Sequence, residues 1–344
     1  MKHASLLTKK LLVLNGFAAA MLFAGAVHAA DTPDKTDPAK VVGSDKCVKC
    51  HKSEHAALEA SKHHNSLAKL AGGNAAKYIE AIGGSKDTCY TCHGTPKAGE
   101  AAPISGVSCE SCHGGAADWW EKHGNKDVPL ADRHAAADAA GMIRAQNVHL
   151  IAKNCFNCHI VFNEELVNAG HPSSNKIEFL GWSTGEVRHN FQKDQSSNAD
   201  APTAWAAYAG GNVENRRRVK LLVGLLTDLA ACLTNMGKAE ELKGDFAKAN
   251  SKRAKSAFGD LEDLADDLDG DAPAELKAAV EAVDGLGRLS SLGVKADQKA
   301  AAPGVAEKVS AAASAIATKY DGSTFGAIDK EVGKADAQGK AFSP

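Results

Sequence analysis

The clearest hydrophobic pattern in this chain of 344 residues lies in its C-terminal part. Apolar side chains recur there at alternating spacings of three and four, which places them on one face of a helix. The series is Val219, Leu222, Leu226, Leu229, Leu233 and Met236. Because Leu221, Leu225 and Cys232 widen this face, the pattern predicts a helix that packs on several neighbours.

Four more helices are predicted after this one. The second covers residues 239–268, the third is capped by Asp271 before Pro273 and ends near Gly285, and Pro303 opens the fourth. A short fifth helix follows near the C-terminus. Residues 204–344 are therefore predicted to form an antiparallel helical bundle. The inward-facing residues are Leu242, Phe246, Ala249, Phe258, Leu261, Leu264 and Leu268, then Val305, Val309, Ala312 and Ile316, then Phe325, Ile328 and Val332.

Residues 46–195 have a different pattern, with few aliphatic runs, many glycines and no strand-like alternation. Such a segment cannot build an ordinary apolar core for its length, so short helices and loops are expected around some other core. The predicted fold class is therefore mostly α. Residues 30–45 are typical of a flexible leader, and residues 196–203, rich in Ser, Asn, Asp and Pro, are typical of a linker.

The first 29 residues have the pattern of a removable export signal. Lys9 and Lys10 precede an apolar stretch over residues 11–23, and a small-residue cleavage site ends at Ala29. We therefore expect a periplasmic or further exported protein. Later in the chain, residues 219–233 are the most apolar, but they are too short to span a membrane and contain Lys220 and Asp228.

The charge balance excludes one class of partner. The formal net charge is −2, and removal of the signal, which carries three lysines and no acid, leaves about −5. No basic stripe with interleaved aromatics is present, so nucleic acid is not an expected partner. An acidic surface suits docking on a basic redox protein.

Four copies of Cys-x-x-Cys-His carry the candidate chemistry, and each is typical of a covalent c-type haem site. Two thiols attach the haem as thioethers, and the histidine binds one face of the iron. A zinc site, a redox pair or a disulfide set would not require a histidine after every second cysteine. Four covalent haem c groups would supply the missing core of residues 46–195, and Cys232 is left over. The motifs are Cys47, Cys50 and His51; Cys89, Cys92 and His93; Cys109, Cys112 and His113; and Cys155, Cys158 and His159.

The other face of each iron needs a second ligand, and histidine is the expected one. Only Met142 offers a methionine in this region, and residues 204–344 contain no histidine. Eight histidines are therefore candidates for at most four positions. They are His55, His63, His64, His123, His134, His149, His171 and His189.

Several stretches resemble the cytochrome c554 family of multihaem cytochromes, and also its relatives among the octahaem reductases and hydroxylamine oxidoreductases. The likeness covers about residues 45–182. It rests on the first motif followed by Ala60-Ser61-Lys62-His63, on Gly106-Val107-Ser108 before the third motif and Gly114 after it, on Trp119-Trp120-Glu121-Lys122-His123, on Asn147-Val148-His149 before the fourth motif, and on Ala169-Gly170-His171-Pro172.

The resemblance implies distal ligands residue by residue. His63, His123 and His149 correspond to distal ligands of the cytochrome c554 family, and His171 corresponds to an element of the relatives. His189, His64, His55 and His134 are held in reserve. The cytochrome c554 family is expected to leave the haem of the second motif five-coordinate. If His171 binds there, every iron is six-coordinate; if it binds elsewhere, one iron stays open.

Three functions follow from these alternatives. The first is electron transfer between periplasmic or membrane-attached redox proteins through closely packed bis-histidine haems. The second is a reductase or oxidase of a small nitrogen or sulfur compound at one open haem, for which no catalytic residue is assigned. The third is a haem-wired structural subunit, in which the C-terminal helices form a homo-oligomer or bind a partner.

Overall fold

A computed structural model of the chain describes residues 36–187, 212–335 and 337–339. The predicted signal, the linker and His189 lie outside these residues. The described residues are mostly helical and contain no strands, apart from two isolated bridges. The mostly α fold class is confirmed. The predicted domain boundary between residues 195 and 204 stays a prediction.

Ten short helices, α1 to α10, occupy residues 36–187. None exceeds 12 residues, and loops and two 3-10 helices, Pro38–Lys40 and Ser66–Ala71, join them. The short helices and loops expected for this region are therefore present. The helices are Ser44–Cys47, Lys52–Glu59, Ala75–Ala81, Asp87–His93, Cys109–His113, Trp120–Gly124, Leu130–Ala139, Val148–His159, Glu164–Asn168 and Phe179–Thr184.

Five helices, α11 to α15, follow in residues 212–335, and three of them are long. They are Val213–Lys238, Asp245–Leu268, Ala274–Asp284, Ala296–Lys319 and Asp329–Val332. Helix α11 is central and packs against α12, α14, α8 and α10. Its predicted apolar face is buried from Val219 to Met236. By length and composition α11 could cross a membrane, but 78% of its most apolar window is buried inside the protein, as in a core helix.

One large apolar core includes residues from both parts of the chain. Phe156 of α8, with Phe179 and Leu180 of α10, belongs to the same buried cluster as the apolar face of α11. Residues 36–147 contribute only a second, small cluster centred on Ala116, Trp119 and Ala137. The N-terminal part was predicted to have little apolar core. In the structure this holds mainly for the residues before α8.

Four details of the predicted bundle are wrong. Helix α12 begins at Asp245 and not at residue 239, because bends and turns occupy the residues between it and α11. Helix α14 begins at Ala296, because the Gln298 side chain accepts the Lys295 backbone N–H and caps the helix start, so Pro303 lies about two turns inside the helix. Helix α13 is preceded by Pro273 as its N-cap, while Asp271 ends a 3-10 turn.

The buried face of α12 also differs from the prediction. It includes Asn250, Ala254 and Ala257, whereas Ala249 and Phe258 are only partly buried. Small and polar side chains fill this face where α11 lies close. The positions of large apolar residues therefore do not indicate which side of α12 is buried.

Candidate haem sites

Each Cys-x-x-Cys-His motif lies on or directly after a short helix. The second and fourth motifs end α4 and α8, the third forms α5, and the first begins at the end of α1. One helical turn thereby presents two thiols and the histidine to the same side. None of the nine cysteines is in a disulfide, so the thiols remain available for thioether bonds.

Neighbouring motifs contact one another in a definite order. The Cys47 thiol hydrogen-bonds to Cys109, and this contact together with burial raises the pKa of Cys47. The side-chain amide of Asn154, within the helix of the fourth motif, donates to the Cys112 carbonyl at 2.6 Å. Cys158 Sγ lies 3.9 Å from the Thr91 carbonyl of the second motif. The motifs therefore adjoin in the order first, third, fourth, second.

Three motif histidines each face a second histidine from elsewhere in the chain. The ring centres of His51 and His123 are 5.9 Å apart, and those of His63 and His159 are 5.8 Å apart. The rings of His93 and His171 are 6.5 Å apart. Metal–imidazole bonds of about 2 Å on both sides of an iron, with roughly 1 Å from nitrogen to ring centre, would separate two opposed rings by roughly 6 Å.

His123 sits in a buried aromatic setting. Its backbone N–H donates to the Trp119 carbonyl at 2.9 Å, and the Trp119 ring meets it edge-on at 6.1 Å. Burial, followed by the neighbouring His51 and His134, lowers the pKa of His123 to about 4. Its Nδ1 is buried without a hydrogen-bond partner. A neutral, buried imidazole with an orphaned nitrogen fits a metal ligand.

The backbone around His63 is tightly held. The His63 carbonyl accepts from Val107 N–H at 3.0 Å and from the Ser66 hydroxyl at 2.6 Å. A Cβ atom on Gly106 would overlap the carbonyl oxygen of His64. Only glycine at this position lets the segment before the third motif approach so closely, which fixes His63 opposite His159.

His171 follows Gly170, whose φ of +95° is a conformation that favours glycine. The ring nitrogen Nδ1 of His171 lies 2.9 Å from the Pro172 carbonyl. A carbonyl accepts a hydrogen bond, so Nδ1 carries the proton and the Nε2 lone pair is directed away from it. The Tyr78 ring packs edge-on against His171 at 5.2 Å. The Ala-Gly-His-Pro element thereby brings its histidine to the second motif.

The third motif histidine, His113, has the same type of hydrogen bond, from Nδ1 to the Ile143 carbonyl at 2.6 Å. His149, the remaining predicted distal ligand, lies with Nε2 3.4 Å from the Ser310 hydroxyl of α14. Burial lowers the pKa of His149 to about 4, so it is a neutral imidazole. The structure does not bring it into ring contact with a motif histidine, and its role as a ligand stays a prediction.

The reserve histidines differ from these pairs, although the His134 ring also stacks on His123, with 5.8 Å between ring centres. Arg144 Nη1 lies 3.2 Å from His134 Nδ1 and can only donate, so the proton of a neutral His134 ring is on Nε2. His55 Nδ1 lies 3.3 Å from a Glu59 oxygen. His64 contributes its backbone N–H to the Ser61 hydroxyl at 3.4 Å. The His134 contact in particular is poorly suited to iron binding through Nε2.

Two supporting side chains were not predicted. Glu110, between the cysteines of the third motif, is fully buried and accepts backbone hydrogen bonds from Val42, Gly43 and Ala116 at 2.8–2.9 Å. The side-chain amide of Asn175 lies 2.5 Å from His159 Nδ1. A glutamate at an unconstrained motif position and an asparagine in a loop carry no pattern that would have identified them.

Thiols outside any disulfide, beside histidines in opposed pairs, are features of a multihaem c-type cytochrome, a class that transfers electrons. Residues 46–114 and 108–176 each match the family described as cytochrome c554 and c-prime. Residues 46–176 are therefore similar to the cytochrome c554 family of multihaem cytochromes, and this likeness indicates covalently bound haem c. Searches of curated proteins and of solved structures found no match.

Proposed function

We propose that the chain is a periplasmic tetrahaem c-type cytochrome that passes electrons between redox partners. Cys47 and Cys50, with the corresponding pairs of the other three motifs, would hold four haems covalently. The redox chemistry belongs to the haem, and the protein supplies attachment, axial ligands and a dry environment.

The observation that carries this proposal is the opposition of motif and distal histidines at 5.8–6.5 Å between ring centres. Two imidazoles on one iron leave no position for a substrate, which favours electron transfer over catalysis at that haem. The pair of His93 and His171 matters most, because it supports a six-coordinate haem at the second motif. Histidine ligation on both faces also favours a low reduction potential relative to histidine–methionine ligation.

The contact order of the motifs supports a continuous path for electrons. Contacts link the first to the third motif, the third to the fourth, and the fourth to the second. Haems attached to motifs in contact would lie close together. Electrons could then pass through the chain without chemistry by a protein side chain.

The test begins with the haem content of the mature protein, measured by pyridine haemochrome and intact mass. Low-temperature EPR of the oxidised form and a CO titration of the reduced form then report coordination. We expect four haems for each chain, all low-spin, and no CO binding. A high-spin haem that binds CO or NO in the unmodified protein would contradict an electron-only function and favour a reductase or oxidase.

Single variants identify the ligands. His171→Ala, His123→Ala and His63→Ala should each convert one haem to a high-spin form that binds CO. His55→Ala is the matched control and should leave the EPR spectrum unchanged. His149→Ala tests the fourth predicted ligand: a new high-spin signal supports the assignment to an iron, and an unchanged spectrum contradicts it.

A further inference from the structure

A short segment after the fourth motif returns to that motif and contacts its histidine. Ser174 pairs with Ile160 in an isolated antiparallel bridge, directly after His159. The bridge brings the side-chain amide of Asn175 to 2.5 Å from His159 Nδ1. An amide can present either its oxygen or its nitrogen. When His159 gives its Nε2 lone pair to a metal, Nδ1 keeps the proton, and the Asn175 oxygen is the group that can accept it.

An arginine from the C-terminal helices holds this segment. Arg253 of α12 donates from Nη1 to the Asn175 carbonyl at 3.2 Å and from Nη2 to the Ile177 carbonyl at 2.7 Å. The same side chain forms two bonds of 2.7 Å to the carboxylate of Asp228 on α11. The Arg253 and Asp228 side chains are only 18% and 11% exposed. A paired planar guanidinium therefore fixes the backbone that carries Asn175.

We propose that Asp228, Arg253 and Asn175 act together as a positioning device that sets the reduction potential of the haem attached to the fourth motif. This inference rests on the proposed function. An acceptor at Nδ1–H makes the imidazole a stronger electron donor, which stabilises Fe(III) and lowers the potential. Asn175 is the positioning residue that contacts His159, and the helices α11 and α12 keep it in place.

The hydrogen-bond partner of His159 differs from those of two other histidines, His113 and His171. His113 directs Nδ1 to a backbone carbonyl, that of Ile143, and His171 does the same with Pro172. His159 is directed instead to a side chain, whose acceptor strength depends on residue type. The fourth motif is thus the one of these sites where the sequence can adjust the acceptor strength without moving the backbone.

The experiment is a potentiometric titration of the holoprotein followed by EPR and absorbance. Asn175→Leu removes the acceptor, so the midpoint potential of one haem should rise. Asn175→Asp supplies a charged acceptor, so the potential of the same haem should fall. Opposite shifts at one haem are a signature that a purely structural role for Asn175 would not produce.

A matched pair of arginines tests the link to the C-terminal helices. Arg253→Met should shift the potential of the same haem that responds to Asn175→Leu. Arg218→Met is the control, because Arg218 also forms a two-pronged pair, with Asp329 at 2.6 and 2.7 Å, and donates to the Gly322 carbonyl at 3.1 Å. This control should leave every potential unchanged. If Arg253→Met does not fold, the two Asn175 variants still decide the role of the side chain.

The outcomes separate this inference from the proposed function. Suppose that the variants keep four low-spin haems. If neither Asn175 substitution then changes a midpoint potential, or if both change it in the same direction, the positioning role is contradicted. The proposed electron transfer would be unaffected by that result. If Arg218→Met and Arg253→Met shift the midpoint potential equally, the specific link between Arg253 and the fourth motif is contradicted. A protein without covalent haem would contradict the proposed function itself.

Discussion

At the scale of single residues, buried polar groups fasten the motifs to one another. Glu110 is the strongest case, because its carboxylate is fully buried and accepts three backbone N–H groups. Two of these donors, Val42 and Gly43, directly precede the helix of the first motif. The third donor, Ala116, follows the third motif. One side chain thus joins the backbone of two Cys-x-x-Cys-His motifs.

Substituting Glu110 should therefore destabilise the fold. Glu110→Gln replaces one acceptor oxygen with an NH₂ group that faces backbone donors, at a cost of about 1.5–3 kcal/mol. We expect this loss in the free energy of unfolding, measured by denaturant titration of the holoprotein. The exposed Glu100 provides the control, since Glu100→Gln should change stability by less than about 0.5 kcal/mol. Equal stability of the two variants would contradict the role of Glu110.

The sequence predicted the residue types of the sites better than their contacts. Motif spacing predicted the thiols and proximal histidines, which stay predictions. The resemblance selected His63, His123 and His171, which the fold brings close to motif histidines. The contact of His149 with Ser310 of α14 was not predictable, because it depends on how a distant helix packs. The same holds for Asn175, whose approach to His159 follows from a chain reversal with no local signal.

At the scale of elements, the C-terminal helices were predicted well where one apolar face is continuous and poorly where small residues allow close packing. The face of α11 matched because large aliphatic residues recur through it. Helix α12 uses Asn250 and Ala254 at its interface, and α14 continues through Pro303. Gly237 lies so close to that proline that a Cβ atom would be 2.5 Å from its Cγ. Such a close approach depends on how two helices pack together, so the sequence of neither helix predicts it.

A second glycine of α11 tests the packing between α10 and α11. A Cβ atom on Gly224 would lie 2.8 Å from Cβ of Phe179. Gly224→Ala gains about 1 kcal/mol of helix propensity but forces apart a packed core, at a cost of about 1–3 kcal/mol. We expect a net loss of stability in thermal or denaturant unfolding.

Gly259 of α12 is the matched control for this substitution. It is also a helix-interior glycine, but a Cβ atom there would meet nothing within 4 Å. Gly259→Ala should therefore stabilise the protein by about 0.5–1 kcal/mol. Effects of the same sign in both variants would show that propensity, and not the Phe179 contact, controls the response at Gly224.

At the scale of the whole molecule, the apolar core does not divide where the composition changes. Helix α8 carries the fourth motif, yet its residues Val148, Ala152 and Phe156 belong to the core of the C-terminal helices. Residues before α8 have only the small cluster around Trp119. Haem should thus contribute most of the core to residues 36–147 and much less to α8.

This distribution leads to a prediction about the protein made without haem. Substituting the eight motif cysteines with alanine should leave residues 44–143 with fast amide exchange, because they cannot bury enough apolar surface to offset chain entropy. Slow exchange should persist in α11, α12 and α14, and also in α8 and α10, which share their core. Hydrogen exchange with mass spectrometry would locate the boundary. Loss of protection throughout α8 would mean that the fourth motif depends on haem as strongly as the other three, whereas protection before residue 143 would mean that the N-terminal part folds without it.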